Sequence, residues 1–390
     1  MTDRLYYTDA YCARFGARVT SRAEDGRRVY LDRSAFYPTS GGQRHDLGTL
    51  GGVAVTDVVD EDDRVAHVLA ASLDADEVEG VVDWPRRWDH MQQHTGQHLL
   101  SAIGADRFGW ETVSVHFGAE SSTIDFGVES IGPETLQELE RLANAGVTEN
   151  RPVTVTFEEA EMATGLRKPS DRGGVLRIVS IEGIDRSACG GTHVRATGEI
   201  GAIVLRRVEK VRKATRVEFL CGMRAIARVR GEYDVLARLA NGLSCSIDEL
   251  PTLVPAQAEQ LRALENDRRR LEGEVNAARA RDVHAALPPG DDGVRRLLER
   301  RAGGKVDDAR ALALAFAALP KGVVAVAVAA PPAILVAASD DSGVDAGRLL
   351  KEALGAVGGR GGGSARLAQG TVPDAAALET VIAALGFTSA

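Results

Sequence analysis

The feature that most constrains this chain is a pair of short motifs set far apart in it, His94-Thr95-Gly96-Gln97-His98 and Cys189-Gly190-Gly191-Thr192-His193. The first places two imidazoles at i and i+4 of a predicted helix, so both project from one face and can grip one ion. In the second, the glycines permit a tight turn that folds a thiolate and an imidazole toward one point. Together the halves supply one Cys and three His, a donor set that suits tetrahedral Zn2+. A fold that uses both must bring residues 98 and 189 together. Taken singly, each motif is as readily a coincidence of surface residues. His90 leaves a choice open, because His90/His94 has the same spacing as His94/His98. The outer two of these histidines stand two turns apart, roughly 12 Å along the axis, so all three do not share one ion. A metalloprotease helix needs a glutamate directly after its first histidine, and Thr95 stands there instead.

Around these motifs the chain reads as α+β, in four parts. Residues 1–82 carry short strands (Arg27–Leu31, Gly52–Val59, Val65–Leu69) punctuated by turn residues, which predicts a small N-terminal β-barrel or a sandwich. Residues 83–222 mix helices and strands. A helix opens near Pro85, a favoured first-turn position, and another at Pro133, and strands are expected at Thr112–Phe117, Ser122–Phe126, Val153–Phe157, Val175–Ile181 and Ala202–Val208. Residues 223–287 read as a helical linker, with Leu261, Leu264, Leu271, Val275 and Ala278 at helical spacing but too interrupted for a long coiled coil. Residues 288–390 read as a compact α/β domain, with strands Val323–Val328 and Ile334–Ala338 and helices near Val344–Val357 and Asp374–Leu385. The run Gly358–Gly363 is expected to break regular structure.

Composition narrows the class. With 44% hydrophobic and 26% charged residues the chain reads as globular, and the start lacks the apolar core of a signal peptide, so the cytoplasm is the expected compartment. Four scattered cysteines are too few for a disulfide scaffold and leave free thiols or metal ligands. A net charge of −9 argues against indiscriminate coating of nucleic acid. A local stripe is still available: Arg206, Arg207, Lys210, Arg212, Lys213 and Arg216 lie close together, opposed by Glu209. On charge alone, a solvated strand face accounts for it equally well.

The paired motifs, with Leu99-Leu100 after the first, resemble those of the alanyl-tRNA synthetase editing domain and of its free-standing relatives, the AlaX proteins. Phe36-Tyr37-Pro38-Thr39-Ser40-Gly41-Gly42-Gln43 is similar to the glycine-rich motif of the longer AlaX proteins, and Ser114–Gly118 with Ser122–Phe126 fits the same group. The C-terminal glycine run followed by Ser364–Gly370 resembles the DHHA1 module. No Asp-His-His motif occurs, which argues against the phosphodiesterases that share that module.

The resemblance implies Zn2+ held by His94, His98, Cys189 and His193, with His90 outside the shell. It implies hydrolysis of the aminoacyl ester of tRNA(Ala) mischarged with serine or glycine. A pocket built for alanine rejects glycine, or one extra hydroxyl, only weakly, so a second hydrolytic sieve is needed. Thr95 and Gln43 are the candidates for reading the amino acid, since each carries donor and acceptor atoms. For Thr95 the competing reading is a hydroxyl bonded to its own helix, and for Gln43 a surface turn residue. Lys168 and the Arg206–Arg216 stripe are candidate tRNA phosphate contacts, and the C-terminal domain is a candidate tRNA-binding or homodimer element. The competing class is a non-catalytic tRNA-binding or dimerising protein with purely structural zinc.

Overall fold

Regular turn punctuation and alternating burial close the first strands into a barrel. In the computed structural model, which describes residues 1–169 and 173–387, β1 (Asp3–Arg4) and the short α1 (Leu5–Thr8) lead into β2 (Arg14–Arg22). They are followed by β3 (Arg28–Leu31), β4 (Arg33–Ser34), β5 (Gly48–Leu50), β6 (Val53–Glu61), β7 (Arg64–Leu69) and β8 (Glu77–Val82). Six of these run in the order β2-β3-β7-β6-β5-β8, and β8 pairs back onto β2, so that circuit leaves no open edge. Every second side chain points inward: Val29 and Leu31 of β3 and Val78 and Val82 of β8 are buried. β2, β5 and β8 escape a reading of apolar runs, because their outward positions hold Arg, Thr, Glu and Gly.

The next layer carries the site. Asp83 caps α2 (Trp84–Phe108) by accepting from the Arg86 amide, Pro85 sits in the first turn, and Gly109 in the left-handed conformation ends the helix. β9 (Thr112–Phe117) and β10 (Ser122–Phe126) lead to α3 (Pro133–Thr148), then β11 (Val153–Glu159), β12 (Val175–Ile181) and β13 (Asp185–Ala188). β14 (Ile203–Val211) and β15 (Ala214–Cys221) form a hairpin that joins β10 and β9 in one sheet, while β11, β12 and β13 make a second. Met91, Leu99 and Leu100 of α2 pack into a core with Ile124, Phe126, Leu139 and Phe219. Burial of each such side chain contributes roughly 1.5–3 kcal/mol. α2 is tied to the barrel by Arg87 and Asp46, both fully buried, with Nε 3.0 Å from a carboxylate oxygen and Nη1 2.7 Å from the Ala10 carbonyl.

α4 (Gly222–Gly242) closes this unit, which spans Met1–Ser244. The second unit, Cys245–Ala390, begins inside the stretch expected to be one helical linker. Its first long element is α5 (Leu250–Ala286), 37 residues. β16 (Arg295–Arg301), α6 (Arg310–Ala317), β17 (Gly322–Ala329), β18 (Pro332–Ala338), α7 (Ala346–Ala356), β19 (Arg360–Gly363), β20 (Leu367–Thr371) and α8 (Ala375–Ala384) follow. The sheet order is β16-β17-β18-β20-β19. β17 is apolar throughout because both its faces are covered: Val323 and Ala325 face α7 and α8, while Val324 and Val326 face α6.

One expectation is corrected here. The glycine run does not break regular structure; Arg360–Gly363 is the edge strand β19, paired antiparallel with β20. A Cβ on Gly361 would lie 2.4 Å from the Gln369 carbonyl oxygen, and one on Gly363 2.2 Å from that of Leu367. The glycines are what let the two backbones approach, a role that turn-based reading misses. Among the described residues, no helix is long and apolar enough to cross a membrane.

Candidate metal centre and its cleft

His94 and His98 lie one turn apart on the buried face of α2. Cys189 and His193 come from the loop after β13, whose register against β12 sets that loop over the helix. The ligand atoms of all four residues lie within 4.8 Å of one another. Cys189 Sγ is 3.4 Å from His94 Nε2 and 3.4 Å from His193 Nε2. Tetrahedral zinc, with S at ~2.3 Å and N at ~2.0 Å, sets such neighbours about 3.5 Å apart, so spacing and donor chemistry both fit that ion. A Cβ on Gly191 would fall 2.1 Å from the His94 ring, so that position admits glycine alone without displacing a ligand. His90, one turn earlier, is buried outside the cluster, and its Nδ1 has no partner among the described residues.

Each imidazole is oriented from behind by a different acceptor at Nδ1. His94 Nδ1 lies 2.8 Å from Gln43 Oε1, His98 Nδ1 2.7 Å from the Asp185 carboxylate, and His193 Nδ1 3.2 Å from Thr95 Oγ1. The Thr95 hydroxyl donates to the Met91 carbonyl at 2.8 Å, which leaves its lone pairs to accept from His193. Gln43 Oε1 is an acceptor, so His94 must donate to it. In the metal-binding form all three rings would therefore keep the proton on Nδ1 and turn Nε2 to the common centre. Asp185 is held in turn by Arg167 at 2.7 Å and by Ser187 at 3.0 Å.

The charges follow from these contacts. Burial opposes the Cys189 thiolate, but the His94 and His193 imidazoles outweigh it and hold the thiol well below its ordinary value. Burial likewise opposes a charge on His98, yet the Asp185 carboxylate and the Cys189 sulfur carry that ring up to about 9. His193 faces the Thr95 hydroxyl where His98 faces a carboxylate, and burial together with neighbouring His94 pushes it down to about 3. Asp185 stays below its ordinary value despite burial, because His98 and Arg167 favour its anion.

The structure puts the expected amino-acid readers elsewhere. Gln43, 1% exposed, spends its amide on His94 and on Thr192, donating to Oγ1 at 2.8 Å and accepting from the backbone N at 3.1 Å. Thr95 is fully buried and bonds its own helix, as the competing reading held. Both stand behind the imidazoles. The open side is a cleft of about 530 Å³ that reaches Cys189 and His94 and is walled by Tyr7, Tyr37, Phe157 and Arg177. Asp185 and Arg177 went unread in the sequence, although each left a signal. Asp185 sits four positions before Cys189, and Arg177 interrupts the apolar run of β12.

The basic stripe maps to the β14–β15 hairpin, where much of its charge is answered. Arg206 pairs with Glu218 and Glu232, Arg207 with Glu209, Lys210 with Glu129 and Arg216 with Asp125. Arg212 and Lys213 occupy the hairpin tip, next to a groove shared with Val113 and Ser114. Lys168 is exposed, 3.8 Å from Glu111.

Comparison with known proteins agrees with this arrangement. The family described as "Threonyl and Alanyl tRNA synthetase second additional domain" matches residues 176–217, and the DHHA1 domain family matches residues 298–386. The alanyl-tRNA editing protein AlaX-L of Pyrococcus horikoshii is 30% identical over 391 residues, covering 95% of each chain. AlaX-M of Methanosarcina acetivorans is 35% identical over 238 residues, covering 55% of this chain and 97% of that one. Aarsd1-A of Xenopus laevis is 34% identical over 249 residues, which cover 62% of this chain and 60% of the Xenopus protein. With a full-length relative at that identity, and with the paired motifs gathered into one cluster, the chain belongs to the AlaX-type alanyl-tRNA editing proteins.

Proposed function

We propose that the chain hydrolyses the ester of tRNA(Ala) mischarged with serine or glycine, at a zinc centre held by His94, His98, Cys189 and His193. The observation that carries this reading is the set of Nε2 and Sγ donors, each oriented from behind, converging beside an open cleft. When bound, zinc supplies a Lewis acid for the ester carbonyl and lowers the pKa of water. The chain's own residues do the rest. Gln43, Asp185 and Thr95 act as positioning residues through His94, His98 and His193, fixing which ring nitrogen is free. Tyr7 and Tyr37 give the cleft aromatic walls suited to a terminal base, and Cys189 with His94 marks the end where the ester sits. Holding ester and water in one geometry is itself a large part of the acceleration of a labile bond.

Two further assignments accompany it. Arg212 and Lys213, at the hairpin tip, are better placed than the paired members of the stripe for phosphate contacts; Lys168, weakly engaged, is a third. A homodimer through the C-terminal unit is supported by Leu261, Leu264, Leu271 and Val275, all exposed along α5. A sedimentation mass equal to one chain at micromolar concentration would discard it.

Deacylation of Ser-, Gly- and Ala-tRNA(Ala) with and without zinc chelation tests the activity. Zinc-dependent loss of the mischarged species, with Ala-tRNA(Ala) spared, is the expected result. A second reading, structural zinc in a tRNA-binding protein, draws on the closed set of four protein ligands. Folded, zinc-loaded protein that hydrolyses none of the three species would establish that reading instead.

A further inference from the structure

Arg177 sits in β12 between Leu176 and Ile178 and is 8% exposed. A guanidinium taken this far out of water requires acceptors and an opposing charge. Its Nε donates to the Tyr7 carbonyl at 2.9 Å and its Nη1 to the Cys189 carbonyl at 2.7 Å. Both partners are neutral, and among the described residues no carboxylate pairs with it. Nη2 has no acceptor among the described residues, and Arg177 lines the cleft together with Cys189 and His94. Asp60, the carboxylate among the described residues that line this cleft, pairs with Arg4 at 2.6 Å. The cleft thus holds a guanidinium that no carboxylate among the described residues pairs with; its company is the Cys189 sulfur and the Tyr7 ring, 5.6 Å from centroid to guanidinium carbon.

We propose that Arg177 binds the phosphate joining the last two nucleotides of the substrate RNA and so sets the terminal aminoacyl-adenosine over Cys189. This rests on the proposed deacylase function. A seryl, glycyl or alanyl ester carries an ammonium group but no carboxylate, so the anions such a substrate offers are its phosphates. The phosphate closest to the ester along the chain is that last linkage. A guanidinium matches phosphate geometry with parallel N–H donors on neighbouring nitrogens, and Nη2 with the second N–H of Nη1 supplies such a pair without breaking the bonds to Tyr7 and Cys189. A contact of this kind fixes position and does not choose between amino acids.

The test compares the 3′-seryl ester of adenosine with the 3′-seryl ester of adenosine 5′-monophosphate as substrates of the zinc-loaded full chain. The expected result is a kcat/KM about ten- to hundredfold higher for the phosphorylated ester, the worth of one charge-assisted contact. Arg177→Gln should slow the phosphorylated ester far more than the unphosphorylated one and so abolish that preference, while Arg177→Lys retains part of it. Equal rates for the two esters with wild-type protein would overturn the proposal. So would equal slowing of both by Arg177→Gln, the mark of a role confined to propping Tyr7 and Cys189. Binding of uncharged tRNA(Ala) against salt gives a readout independent of hydrolysis. The slope of log K against log salt should fall by about 0.7 in Arg177→Gln, and an unchanged slope contradicts the phosphate contact. Failure of wild-type protein on both esters and on intact mischarged tRNA, with that slope difference present, would reject the deacylase reading and leave Arg177 as a phosphate ligand.

Discussion

The two units of the chain solve burial in opposite ways. The C-terminal unit hides an almost purely apolar sheet, with Ser339 and Ser342 as its buried polar side chains among the described residues. The N-terminal unit buries Gln43, Asp46, Arg87, His94, Thr95, His98, Asp185, Thr192 and His193. Polar atoms without partners in such places cost roughly 1–3 kcal/mol each. Here Asp46 and Arg87 are paired with each other, and the rest form chains that end on an imidazole. The C-terminal core therefore depends on volume, while the N-terminal interior depends on the identity of single atoms. A substitution that changes no volume should be nearly silent in the first and severe in the second.

The severest break expected is Cys189→Ala. Stoichiometric zinc should be lost and deacylation with it, while far-ultraviolet circular dichroism holds if zinc serves chemistry alone; metal analysis beside a single-turnover assay separates the two losses. Leu350→Ala, in the fully buried centre of α7, tests the other side. It should cost about 2–5 kcal/mol in urea unfolding of the C-terminal unit and leave zinc content untouched. A fall in zinc affinity would show that the two interiors are not independent in this sense.

Asp185→Asn keeps size and removes the charge that His98 faces. Zinc affinity should drop about 10- to 100-fold, read by chelator competition, whereas an equivalent isosteric change in the C-terminal core should do nothing. The smallest effect concerns His67, wholly buried in the barrel, where burial holds its pKa down to about 4 against an ordinary value of 6.5. The folded state favours the neutral ring, so the unfolded chain binds more protons between those two values. Stability from this site is fully present above pH 6.5 and is lost as pH falls toward 4, at up to about 1.4 kcal/mol per pH unit. In metal-free protein, His67→Gln should flatten that slope, and an identical slope would place the acid sensitivity elsewhere.

The contrast between the units also decides what could be read in advance. Strands β10 and β12 are read to the residue: β12 is a largely apolar run between turn glycines, and β10 places Ile124 and Phe126 at alternate positions. The start of α2 is read from Pro85; its cap Asp83 and its stop at Gly109, residues with capping preferences of their own, emerge with the structure. The edge strand β19 escaped because glycine is ordinarily a strand breaker, and its use there depends on the approach of β20. Metal chemistry, which demands particular residue types at particular spacings, narrowed the candidate ligands, but spacing left His90 open beside His98 and the family resemblance chose between them. Their supports were not legible. Gln43 reaches His94 from the barrel, and the hydrogen bonds of Thr95 form only once the Cys189–His193 loop lies against α2. Donor and acceptor atoms suggested that these two residues read the substrate; in the structure those atoms bond the candidate ligands His94 and His193.

The central claim, that four oriented donors hold the zinc that performs editing, is tested most directly by reconstitution. Metal-free protein is titrated with zinc, and single-turnover hydrolysis of Ser-tRNA(Ala) or Gly-tRNA(Ala) is measured at each addition. The account predicts activity that rises linearly and stops at equimolar zinc, with no further gain beyond it. Full hydrolysis by metal-free, folded protein, with no response to zinc, would contradict it.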